Sequence, residues 1–128
     1  MVLDIDQIFE MLSWNNDNEM QIKGIEEAKK VKHLSVFLQP IESKSVWENC
    51  AKVLISKSDE ELALYLVSMF MWLRNMNWPG AYLIYDRLKI MPKEFTDMAY
   101  KISLSTAVET GDTMWEYALR DFENDIRD

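Results

Sequence analysis

Residues able to do chemistry are few in this chain, and their spacing disarms most of them. His33 is the sole histidine, and no second His or Cys nearby completes a zinc set. Proton shuttling would need an organised partner that the sequence does not place beside it. His33 follows Lys29, Lys30 and Lys32, where a helix C-terminus favours positive charge, so a capping or surface role is expected. Cys50 lies three residues from Trp47 and Val53 on an apolar helical face. A reactive thiolate needs an open, electropositive setting, so Cys50 reads as a small core hydrophobe. The run Asn15-Asn16-Asp17-Asn18-Glu19 has the oxygen density of a calcium loop without its glycine turn or distal glutamate, and reads as a capping turn. Neighbouring acids such as Glu26 and Glu27, or Glu60 and Glu61, diverge around a helix. No Gly-rich phosphate loop, G-x-S-x-G elbow or H-E-x-x-H is present in the sequence. The expectation is no enzyme, with no catalytic residue, metal or cofactor. A ligand site, if built at all, would come from residues remote in sequence, with Tyr82, Tyr85, Asp86, Arg87 and Tyr100 as pocket groups.

Whatever function remains must be carried by the surface. The 128 residues are 48% hydrophobic, enough for one domain over residues 1–128 with a core of its own. One cysteine cannot make an internal disulfide, and the opening Met-Val-Leu-Asp-Ile-Asp lacks the pattern of a signal peptide, so a cytoplasmic protein is expected. The apolar stretch 62–73 is too short to cross a bilayer and reads as a buried helix, so no membrane partner is expected. Net charge is -8, and it is unevenly placed. Residues 1–20 hold five acids and no base, while residues 109–128 hold seven acids against Arg120 and Arg127. Phosphate recognition needs clustered Lys and Arg, so nucleic acid is not the expected partner; a basic protein is.

The elements that position these groups are helices. Apolar residues recur near a 3.6 period, as in Ile5, Ile8, Phe9 and Leu12, or Val46, Trp47, Cys50, Val53 and Leu54. Eight helices are predicted, over about 4–13, 17–32, 34–39, 45–57, 60–75, 79–90, 93–109 and 112–126, each a reading from caps and periodicity. Asn16 or Asp17 caps the second, Ser43 or Ser45 the fourth, and Ser58 with Glu61 forms a capping box. Pro79 and Pro92 suit first turns, and Gly111 followed by Asp112 stops one helix and caps the next. Met69, Phe70, Met71, Trp72 and Leu73 surround one helix, as a central buried helix requires.

A degenerate repeat divides the chain into helix pairs. Phe9-Glu-Met-Leu-Ser-Trp-Asn-Asn resembles Phe70-Met-Trp-Leu-Arg-Asn-Met-Asn, and 104–119 is a fainter copy, the pattern of units that bury a face only against neighbours. With these pairs, the motifs Met76-Asn77-Trp78-Pro79-Gly80-Ala81 and Val46-Trp47-Glu48-Asn49-Cys50-Ala51 make residues 14–125 resemble a small bacterial family of HEAT-like domains of unassigned function. The resemblance implies an all-α fold, an α-α superhelix of about four helix pairs in the HEAT/armadillo-like solenoid class. Domains of this size and kind include immunity proteins that block a co-encoded toxin.

Helix parity then places the ends. One edge should gather 14–19, Glu42, 75–78 and 109–112, and the opposite edge Lys29, Lys30, Lys32, Lys57, Lys89 and Lys93. The expected function is a non-catalytic interaction module, immunity- or antitoxin-like, whose acidic edge takes a basic toxin domain or other cationic protein. A structural or regulatory adaptor using the same surface is the alternative. The expected contact residues are Trp14, Asp17, Glu19, Trp78, Asp112, Trp115 and Glu116, with acids for steering and aromatics as anchors. Asp121, Glu123, Asp125 and Asp128 oppose the last helix dipole, an excess that motivates the cationic partner. Oligomeric state is left open by the sequence.

Overall fold

Local caps set the helix starts, and the computed structural model, which describes residues 3–40 and 43–127, shows where each helix runs. Helix α1 (Ile5–Leu12) opens on a capping box between Asp4 and Gln7, and α2 (Asn18–Ala28) opens on Asp17, whose carboxylate accepts the Met20 N–H. Asn16 donates its side-chain amide to the Glu10 carbonyl at 2.6 Å, closing the end of α1. The run 15–19 is therefore a capping turn, as its sequence implies. Helix α2 ends at Ala28, earlier than predicted, and the expected third helix is a 3-10 turn over Leu34–Phe37. His33 is exposed at the start of that turn.

A 3-10 turn, Lys44–Val46, leads into α3 (Trp47–Ile55). The predicted single helix over 60–75 is instead segmented: α4 (Asp59–Leu62), a 3-10 turn, α5 (Leu66–Met71) and a 3-10 turn over Trp72–Arg74. No Gly or Pro lies within 59–74, so local sequence carries no signal for this tightening. The Ser58–Glu61 capping box forms as predicted. Helix α6 (Ala81–Lys89) starts two residues after Pro79 and α7 (Lys93–Thr110) directly after Pro92, so both prolines precede the first turns they were expected in, and α8 (Thr113–Arg127) follows. Gly111 takes φ +70 and ends α7 in the left-handed conformation that glycine accepts at least cost, while Asp112 accepts the Trp115 N–H.

Among the described residues the fold is all-α, with no strand. Helices α2, α3, α6 and α8 are linked side by side in that order, and α5 packs on α7. The second row extends back through Phe70 on Tyr100, Gln39 donating to the Ser68 carbonyl at 2.7 Å, and Phe37 on Phe9. Between the rows lies one core, in which Leu12, Phe37, Leu54, Met69, Phe70, Trp72, Leu73 and Phe122 are fully buried. Cys50 is buried there too, in the core role its spacing implies.

Candidate partner-binding site

The chain reversals fall at two edges, and contacts far apart in sequence tie each edge together. At one, the Trp14 N–H donates to the Ser45 carbonyl at 3.0 Å, Lys44 places its ammonium 5.8 and 5.9 Å from the Trp47 and Trp78 rings, and Arg74 pairs with Asp112 at 3.0 Å. At the other, Lys57 donates to the Lys29 carbonyl at 2.6 Å, and Arg87 donates to the Lys57 carbonyl while pairing with Asp59 at 2.7 Å. These contacts agree with the expected grouping of Trp14, Trp78 and Asp112 at one side and of Lys29 with Lys57 at the other.

The charge does not divide with the edges. Lys44 and Arg74 stand on the side expected to be acidic, and Asp59 stands among the lysines. Helix α8 starts at Asp112 and runs toward the other edge, so Glu123 and Asp125 are held far from Asp112, by hydroxyls of Tyr100 and Tyr85. Asp4 likewise starts α1 at the end remote from Trp14. A helix spans the domain, so acids spread along α1 and α8 cannot collect at one edge. Glu42 and Asp128, also part of that expectation, lie outside the described residues.

Of the expected contact residues, Trp14 is 49% exposed and Asp17 and Glu19 are exposed on the first turn of α2. Trp78 is half-buried, edge-on to Trp47 at 5.3 Å. Asp112 is engaged with Arg74, and Glu116 with Arg120 at 3.0 Å. Trp115 is different. It is only 4% exposed, and its indole N–H donates to the Phe70 carbonyl at 2.9 Å, which makes it a core residue of this fold.

The residues that do stand free were only partly singled out by sequence. Between the 75–77 loop, the start of α6 and the first turns of α8 lies an open cleft of about 540 Å³, lined by Met76, Tyr82, Met114, Tyr117 and Asp121 among others. Tyr82, Met114 and Tyr117 are 65, 60 and 72% exposed. Their sequence signal is a second stripe on α8. Trp115, Ala118, Leu119 and Phe122 face the core, leaving Met114, Tyr117 and Asp121 on a separate face at helical spacing. Farther along the α6–α8 seam, burial, the hydrogen bond to Asp125 and the charges of Asp125, Asp121 and Asp86 together push the Tyr85 phenol far above its usual value. Three carboxylates therefore bear on one seam. Lys89 is the cation at this place, 5.7 Å from the Tyr85 ring, while Arg74 is occupied by Asp112.

A second exposed apolar strip, with Leu64, Val67, Met98 and Ile102, has no charged side chain among its lining residues to orient a ligand. No group of three His, Cys, Asp or Glu residues suited to a metal occurs among the described residues, and none of their helices is long and apolar enough to cross a membrane. In comparison with known proteins, a family described as a domain of unknown function (DUF5071) matches residues 45–125, which begins later than the 14–125 over which the sequence suggested a family resemblance. No curated protein and no solved structure matches.

Proposed function

We propose, for a chain that belongs to the DUF5071 family, that it is a non-catalytic protein-interaction module which docks a cationic segment of a partner protein in the α6–α8 cleft. One observation carries this reading: Tyr82, Met114 and Tyr117 are bare at a cleft lined by Asp121 and by Arg74, whose guanidinium is paired with Asp112, while Asp86 and Asp125 stand farther along the same seam beside Tyr85. Tyrosine is enriched at interface hot spots, and its ring face attracts Lys and Arg. The carboxylates add attraction, and the net charge of -8 steers a basic partner inward. The docking surface moves from the acidic edge to this seam, with Trp14, Asp17 and Glu19 left as outlying contacts.

The architecture we favour beneath it is a HEAT-like α-solenoid. The row α2, α3, α6, α8 and the antiparallel row through α5 and α7 support it, since alternate helices of stacked pairs make two such layers. In its finer form the partner is a basic toxin domain and the chain an immunity-like cytoplasmic protein. A toxin gene beside this one supports that form, and an unrelated neighbour favours an adaptor.

The test is an NMR titration of the whole chain with hexa-arginine at low and moderate salt. The expected result is saturable shifts centred on Tyr82, Met114, Tyr117 and Asp121, weakened by salt. Affinity should fall about tenfold or more in Tyr82→Ala/Tyr117→Ala, as loss of hot-spot aromatics implies. Shifts spread evenly over both edges, or affinity unmoved by the double substitution, would overturn the proposal.

A further inference from the structure

Leu64 is 88% exposed, more than any other large apolar side chain among the described residues. It stands on the 3-10 turn over Ala63–Tyr65 that separates α4 from α5, and it does not stand alone. A groove of about 210 Å³ lies between this segment and α7. Buried Leu66 and Ala99 form its floor with half-buried Phe95, while Leu64, Val67, Met98 and Ile102 stand up as its walls, the last three 39, 69 and 46% exposed.

No residue lining the groove is charged or polar, in a chain of which 28% is charged. Along α7 the neighbouring charges are paired or set apart. Lys101 is held by Asp97 at 3.1 Å, and Glu94 and Glu109 lie a turn or more beyond Met98 and Ile102. A charged ligand finds no partner here. The basic segment proposed for the α6–α8 cleft does not either, and the two sites share no lining residue.

Area and symmetry point to one occupant. The four wall residues bare on the order of 400 Å² of apolar surface, the scale on which a patch on a monomer marks an interface. Two copies pressed together hide twice that area, and with a rim around it they reach about 1,200 Å², where stable specific interfaces begin. A two-fold contact sets each residue near the axis against its own copy or a close neighbour, so a charge there would meet its like. A charge-free strip escapes that repulsion. Antiparallel α7 helices across the axis also oppose their dipoles. With Met98 opposite Ile102 of the second copy, Glu94 falls opposite Thr106 rather than another acid.

We infer that the chain is a homodimer in which the α5–α7 strips of two copies pack face to face about a two-fold axis, the Met98 wall of each entering the groove of the other. The inference is independent of the cationic-partner cleft, which lies on α6 and α8.

Sedimentation equilibrium of the whole chain at micromolar to millimolar concentration tests it. The expected result is a monomer–dimer equilibrium that tightens with added salt, because two copies of charge -8 repel each other. Salt weakens hexa-arginine binding instead, so the two proposals fail separately. Met98→Glu, at an exposed position, should keep the far-UV circular dichroism of the fold and weaken the dimer about tenfold or more, since each copy then buries an unpaired carboxylate. Ile102→Lys should do the same with an unpaired ammonium. Mixed in equal amounts, the two variants should form a heterodimer, in which the new carboxylate of one faces the new ammonium of the other. A monomer at every concentration, a dimer that salt dissolves, a dimer unmoved by Met98→Glu, or a mixture that stays monomeric would overturn the inference.

Discussion

Truncating Trp115 separates a core residue from a docking anchor. The side chain is 4% exposed, donates its indole N–H to the Phe70 carbonyl at 2.9 Å, and carries the Arg74 guanidinium 5.8 Å from its ring. Loss of a buried aromatic of this size costs about 3–5 kcal/mol, the larger part from the cavity left behind. Trp115→Phe keeps most of the apolar volume but removes the indole donor to the Phe70 carbonyl, at a cost of about 1–3 kcal/mol. With a urea m-value of about 1.5 kcal/mol/M, Trp115→Ala should move the unfolding midpoint down by about 2 M or more, and Trp115→Phe by about 1 M. Equilibrium urea unfolding followed by far-UV circular dichroism measures both. If Trp115→Ala unfolds at the wild-type midpoint and loses only partner binding, the ring is a surface anchor and the core assignment is wrong.

Other perturbations follow from particular contacts. Gly80 has φ +84, and a Cβ there would stand 2.7 Å from the Ala51 Cβ and 3.1 Å from the Trp47 carbonyl. Gly80→Ala should therefore lose more thermal stability than Gly111→Ala, which meets nothing within 4 Å and suffers only the left-handed backbone cost of about 1 kcal/mol. Equal drops in midpoint temperature would show that the α3–α6 joint yields. The raised Tyr85 phenol binds its proton more tightly folded than unfolded, so its stabilisation is complete below the unfolded value of about 10 and is lost as pH rises through the folded one. Tyr85→Phe should flatten the alkaline decline of stability in urea titrations above pH ~10, and an unchanged slope would place the effect elsewhere.

Helix starts were legible because they are short-range chemistry. Asp17, Ser58 with Glu61, and Asp112 each satisfy an N–H three residues away, which a sequence displays directly. Segmentation of 59–74 was not legible, since no Gly or Pro marks it. Nor was charge placement. Arg74 meets Asp112 across 38 residues and Lys44 lies over Trp78, pairings set by how edges stack rather than by any local rule. For the aromatics the difficulty was one of facing. Trp115 falls on the core stripe of α8 and Tyr117 off it, so two residues separate an interior ring from an exposed one.

The two motifs that suggested a family have their main use inside the fold. Trp47, from the first, stands edge-on to Trp72 at 5.7 Å and to Trp78, from the second, at 5.3 Å. Trp72 donates to the Pro79 carbonyl at 2.9 Å, and Gly80 lets α6 close on Ala51. Asn49 is buried and donates to the Leu12 carbonyl at 2.7 Å, tying α3 to the end of α1. A resemblance carried by these residues reports the joint between α3 and α6, which is why it speaks to fold before function. The second motif still has one functional consequence. It ends on buried Ala81, and the next residue, Tyr82, emerges at the cleft. The joint therefore sets the position of the cleft wall, while Tyr82, Met114, Tyr117 and Asp121 set its chemistry. Those four side chains are exposed, so they can be substituted while the joint holds. Replacing Tyr82 and Asp121 by Lys should leave stability within about 0.5 kcal/mol per site and, on the proposed function, abolish the hexa-arginine shifts at the cleft.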